Sequence, residues 1–238
     1  MAFITGLGWL DSFCMGHGLI DDKYSLQSNS KTISELNFKS IIDIPHSRLG
    51  RMDMYSKMGF LAIALALKDA GLDQWKQKRD ISIIASTMYG CLTTDLAYWD
   101  TVLVDNGLFA SPNLFAYTLP TVFLGEAAVC FGLIGQQFIV NDSSPIGISG
   151  LQLTIDTIDD EDTECMLYGL CDLFPPLEFC QHGQDICGAF FMVLEKTVQD
   201  GRKTYGEIYR NTMGDIIFNE KIIPNILVLI NSLSHKTE

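Results

Sequence analysis

The longest unbroken apolar runs are Gly59 to Leu67 and, near the end of the chain, Ile226 to Ile230. Both are far shorter than the roughly 20 residues a membrane-spanning helix requires. The first belongs to a segment from Met54 to Leu67 that is apolar nearly all round, the pattern of a buried helix. Asp53 stands ready to cap it, and Ala70-Gly71 offers a C-terminal stop. Strands are expected at Phe3 to Leu10, Asp80 to Ala85, Gln137 to Val140, Cys165 to Leu170, Cys187 to Leu194 and Thr204 to Asn211. Helices are expected over Thr93 to Asn106, Val122 to Gly132 and from Pro145 to about Thr157. Strands alternating with helices, followed by consecutive strands, predict an α/β fold: a mixed five-stranded sheet with helices on both faces.

Composition narrows the function classes. Hydrophobic residues make up 47% and charged residues 19% of the chain, enough to fill a core. The opening MAFITGLGWL lacks a basic leader and reads as a strand and turn, so a cytoplasmic location is expected. Seven cysteines without close CxxC pairs fit reduced thiols and not a disulfide framework, and neither a metal nor a cofactor is expected. With 29 acidic and 16 basic residues the net charge is −13, which repels nucleic acid and anionic lipid. The acidic run from Asp156 to Glu164 lacks the alternating ligand spacing and turn glycine of a calcium loop, and reads as a solvated connection.

Five stretches, in order, resemble the amino-terminal half of the β-ketoacyl synthases of the thiolase superfamily. Phe3 to Gly8 is similar to the opening strand, and SRLGRMDMYSKMGFLAIALALKDAGL, Ser47 to Leu72, to the Arg-x-Met-Asp entry and long buried helix. Ala110 to Gly135 resembles the Ser-Pro…Phe segment and the helix before a Gly-Pro turn. GAFFMVLE, Gly188 to Glu195, and the Gly201-Arg202 turn with Tyr205 to Ile208 resemble two late strands. The resemblance implies a thiolase-like half over residues 1–215. Residues 216–238 then form an apolar tail that packs on this domain or on a partner.

The same resemblance places Ser144 on the family's nucleophilic cysteine, at a strand-to-helix elbow where the helix dipole and backbone N–H groups activate a thiol. A dipole worth about 1 kcal/mol offsets only a small part of the gap between a serine hydroxyl and a thiol, so Ser144 would need a base. The family's two catalytic histidines belong to a second half that this chain does not reach. His17, His46, His182 and His235 are not their counterparts, because His182-Gly183-Gln184 precedes the GAFFMVLE strand that the family's histidines follow. Ser144 followed by Pro145 is also what an ordinary helix start looks like, with serine as N-cap and proline in the first turn. Cys91 and Cys130 lie away from the elbow and read as packing residues.

These readings imply a catalytically inactive β-ketoacyl synthase-like protein, a partner or regulatory subunit in fatty acid, polyketide or related acyl-chain biosynthesis, as the family's chain-length factors are. Two alternatives are an acyltransferase or esterase with Ser144 as nucleophile, and an acyl-group binding module. The implied partners are a second copy or a complete ketosynthase, paired through Gln137 to Val140. An acyl carrier protein is a further partner that the resemblance implies. Such carriers are acidic, so the net charge opposes their docking unless the few Lys and Arg gather in one patch.

Overall fold

The computed structural model describes residues 1–21, 23–26, 48–142, 144, 146–160, 163–180, 185–199 and 201–234. Its sheet is larger than the pattern predicts. Nine strands are present among the described residues, in the order β4-β3-β5-β6-β1-β7-β8-β9, with β2 paired beside β1. They are β1 (Ala2–Asp11), β2 (Met15–His17), β3 (Ser82–Thr87), β4 (Gln137–Asn141), β5 (Cys165–Asp172), β6 (Gly188–Glu195), β7 (Gly206–Arg210), β8 (Ile216–Phe218) and β9 (Lys221–Ile223). The expectation of a five-stranded sheet is corrected: all six strands expected from the pattern join one sheet, and three further strands add to it, for a physical reason. β2, β8 and β9 span three residues each, too short to leave a period of two in the sequence, and exist only through their neighbours.

β3 pairs in parallel with both β4 and β5, whereas β6 runs antiparallel to β5 and to β1. The carboxyl ends of β1, β3, β4 and β5 therefore share one end of the sheet. Helices α1 (Met54–Asp69) and α4 (Val122–Phe131) cover one face. On the other face lie α5 (Ser149–Asp160) and α6 (Ile226–Ser232). Short helices α2 (Leu92–Leu103) and α3 (Pro112–Phe115) follow β3.

Asp53 caps α1 as its sequence predicts, Oδ1 accepting from the Ser56 N–H at 3.0 Å, and the chain leaves the helix through Gly71 at φ +68°. α1 runs antiparallel to β1 at close range. A Cβ at Gly8 would overlap the Ala62 carbonyl oxygen and the Ala66 nitrogen, so the absence of a side chain sets the helix-to-sheet distance. Gly8→Ala should therefore destabilise the fold by about 3 kcal/mol. A urea midpoint equal to wild type would show that α1 can shift to make room.

α5 begins later than expected. The chain turns first, the Gly147 N–H donating to the Ser144 carbonyl at 2.9 Å, and the helix starts at Ser149. The apolar residues beyond 215 are part of the same core: Ile216, Phe218, Ile223, Ile226, Leu229, Ile230 and Leu233 join the cluster under α5.

Candidate functional site

In open α/β sheets ligands bind beyond the carboxyl ends of the strands. Here those ends bring together Ser86 and Thr87 of β3, Asn141 of β4 with Asp142 and Ser144 after it, and Asp172 of β5.

Asp172 is the organising group. It is 1% exposed, and its carboxylate accepts four hydrogen bonds, from the Thr87 hydroxyl (2.7 Å) and the N–H groups of Met88 (2.8 Å), Tyr89 (2.9 Å) and Gly90 (3.2 Å). Burial pushes its pKa up to about 6 against the opposing pull of those donors. The turn it holds directs the chain into α2. Tyr89 then reaches outward, its hydroxyl 2.7 Å from Asp185 Oδ1 and 3.2 Å from the Phe179 carbonyl, and burial followed by Asp185 pushes its pKa up to about 12.

Ser144 lies in the loop between β4 and α5. The Ile146 N–H donates to its Oγ at 3.4 Å. Because α5 starts only at Ser149, Ser144 is neither the cap of that helix nor at the focus of its dipole, which corrects the expected helix start at Ser144-Pro145; Pro145 itself lies outside the described residues. The loop is pinned on two sides. The Asp142 N–H donates to the Thr87 carbonyl at 2.9 Å, and the Ile226 N–H at the head of α6 donates to the Ile146 carbonyl at 3.2 Å. Asp142 is buried, with its Cγ 2.7 Å from where a Cβ of Gly147 would stand, and its Oδ2 has no partner among the described residues. Below it, the Tyr168 hydroxyl lies 3.3 Å from Ser86 Oγ.

The alternative nucleophiles are quiet. Cys91, beside Asp95, has its pKa pushed up to about 12 by burial and then by that carboxylate; burial and then Glu126 push Cys130 up to about 11. Both therefore stay protonated at neutral pH. His17 Nδ1 faces Asp69 Oδ1 at 3.5 Å on β2, while His46, His182 and His235 lie outside the described residues. Within the acidic run, Asp156 pairs with Arg210 and Asp159 with the N-terminal ammonium, and among the described residues no cluster of three His, Cys, Asp or Glu could hold a metal. The sequence signal for Asp172 is a single acid closing the otherwise apolar strand CMLYGLCD; Asp142 has no such mark.

Comparison with known proteins finds no matching family profile and no matching curated protein. Solved structures do match. The ishigamide ketosynthase/chain length factor superposes with TM-score 0.67 at 17% identity, over 87% of this chain and 62% of that one. The fold is the thiolase-like fold of the ketosynthases. The ketosynthase ApeO in complex with its chain length factor ApeC, from Xenorhabdus doucetiae, gives TM-score 0.57 at 12% identity, over 83% of this chain and 79% of that one. The type II polyketide synthase acyl-carrier protein in complex with its ketosynthase, AntDE:AntF, gives TM-score 0.65 at 18% identity, over 87% and 67%. The ketosynthase fold here thus spans 62% of the length of the first of these structures. Among the described residues no helix is long and apolar enough to cross a membrane.

Proposed function

We propose that this chain is a catalytically inactive ketosynthase-like protein that works as a partner or regulatory subunit in polyketide, fatty acid or related acyl-chain biosynthesis. The observation that carries the reading is the environment of Ser144. The residue that the sequence resemblance aligns with the nucleophile is a serine, whose hydroxyl accepts from the Ile146 N–H and has no helix N-terminus directly behind it. The chain length factors among the structural neighbours support a partner role by analogy of fold.

Two surface features favour a subunit of the same fold as that partner. Among the described residues β4 is the last strand of the sheet and pairs only with β3, which leaves its outer edge open there to a further strand. The segment after β3 exposes Leu103, Val104, Leu108, Phe109, Phe115 and Leu119, each more than half accessible. A twofold pair through β4, with a second copy or with a complete ketosynthase, covers both and should bury about 1,600 Å² or more.

With acyl and malonyl thioesters the purified protein should form no condensation product and take up no acyl group by intact mass. An acyl adduct that Ser144→Ala removes would replace this reading with that of an acyltransferase or esterase. Light scattering coupled to size exclusion, alone and with a complete ketosynthase encoded in the same genome, should give a mass above the 26.5 kDa of one chain. A mass of one chain under both conditions would defeat the partner role.

A further inference from the structure

The chain holds a single Asn-Gly pair, Asn106-Gly107, on the turn Val104–Gly107 that follows α2. The two residues take φ +54° and +84°, the left-handed backbone that the centre of a type I′ turn requires and that asparagine and glycine tolerate best. The hydrogen bonds lie at the base of the loop: the Ser111 N–H donates to Thr101 Oγ1 at 3.0 Å, and the Ala110 N–H to the Gly107 carbonyl at 3.1 Å. Asn106 itself is exposed, and its side-chain amide makes no hydrogen bond among the described residues.

The other described asparagines are placed differently. Asn219 is also left-handed, at φ +45°, but its Oδ1 accepts from the Glu207 N–H at 3.1 Å and a glutamate follows it. Asn211 and Asn225 likewise accept backbone N–H groups, while Asn113 and Asn231 lie within helices. Among the described residues Asn106 alone joins a free side-chain amide to a following residue without a Cβ, which lets the next backbone nitrogen approach the amide carbon. Its surroundings give the position a consequence. Leu103, Val104, Leu108 and Phe109 on either side of it belong to the exposed apolar segment that a partner is proposed to cover. From Asp80 to Glu195 the chain has no Lys or Arg, so this segment offers no cation of its own to a new carboxylate.

We propose that Asn106-Gly107 is a self-modifying site, whose deamidation places a carboxylate in the apolar segment and closes it to a partner. The Gly107 nitrogen attacks Cγ of Asn106. The new N–Cγ bond forms as the Cγ–Nδ2 bond breaks, and the amide nitrogen leaves as ammonia, carrying the proton from Gly107. Water then opens the cyclic imide at either carbonyl, which gives aspartate, or isoaspartate with the main chain routed through the side-chain carbon. Attack requires the Gly107 nitrogen to shed its proton, so the rate rises with pH. The second half of the inference rests on the proposed reading of this segment as part of a subunit interface. There a carboxylate loses its water without gaining a cation, and its desolvation opposes association. A chain that pairs early shields the site, and one that stays single loses the capacity to pair.

The test begins by incubating the full chain at pH 7 and at pH 9, with samples taken over time for peptide mapping by mass spectrometry. Methylation by a protein isoaspartate methyltransferase gives a second readout. Asn106 should convert before every other described asparagine, faster at the higher pH, with isoaspartate among the products. Asn106→Gly, which keeps the left-handed backbone, should remove the isoaspartate signal from this segment and leave the urea midpoint unchanged. Light scattering on dilution, with a second copy and with a complete ketosynthase, should show association at least ~10-fold weaker for Asn106→Asp and for the aged chain than for fresh wild type, and unchanged for Asn106→Gly. An amide that persists at position 106 while other asparagines convert would overturn the site. Association of Asn106→Asp and of the aged chain within ~2-fold of wild type would overturn the proposed consequence. A fresh chain that pairs with neither would remove the partner reading and with it the switch, whatever the map shows at Asn106.

Discussion

Truncation after Ile223 should leave a chain that does not fold. The removed residues include Ile226, Leu229, Ile230 and Leu233, all buried against β1, α5 and the segment around Ile20 and Tyr24. Burial of each such side chain is worth about 2 kcal/mol, so four contribute about 8 kcal/mol, a figure as large as the whole stability of many domains. The truncation also removes the Asn225 side chain that caps α6 and the Ile226 N–H that holds the Ile146 carbonyl. Leu229→Ala gives the graded version, with an expected loss of about 3 kcal/mol in urea unfolding. A truncated chain with a cooperative melt and a native circular dichroism spectrum would show that α6 is an accessory.

Asp172→Asn is expected to have the next largest effect. The carboxylate is the shared acceptor for the Thr87 hydroxyl and three consecutive N–H groups, and an amide would turn an NH₂ against at least one of those donors. The predicted loss is about 3 kcal/mol at pH 5. The pH dependence then identifies the cause. Burial raises the folded pKa to about 6, above the ordinary carboxylate value, so the folded state binds this proton more tightly than the unfolded one. The contribution of Asp172 is fully present below the unfolded pKa and is lost as pH rises through about 6, a decline of about 3 kcal/mol. Urea midpoints between pH 4 and 7 should therefore fall less steeply in the variant than in wild type. Parallel profiles would mean that Asp172 is ionised in the folded state throughout that range.

The two results bear on function through one loop. Asp172 fixes the turn from Thr87 to Gly90, the Thr87 carbonyl holds Asp142, and α6 holds Ile146, so the segment carrying Ser144 is clamped from both ends.

The sequence by itself determined the long elements and their order. The run from Met54 to Leu67 could only be a buried helix, and its Asp53 cap stands where the pattern put it. Six strands carried enough β-branched and apolar residues to be seen, and five ordered stretches resembling the β-ketoacyl synthases sufficed for the fold. The tertiary structure alone decided the rest, since it depends on contacts between residues far apart in the chain. β8 and β9 are strands because β7 offers them an edge, and Ile226 to Leu233 folds back because the face beside α5 is apolar and otherwise open. The start of α5 moved from Pro145 to Ser149 through a local turn in a loop clamped by Thr87 and Ile226, neither of them near it in sequence. Asp172 reads in the sequence as one acid ending a strand. Its role follows from donors more than eighty residues away, which no period or propensity encodes.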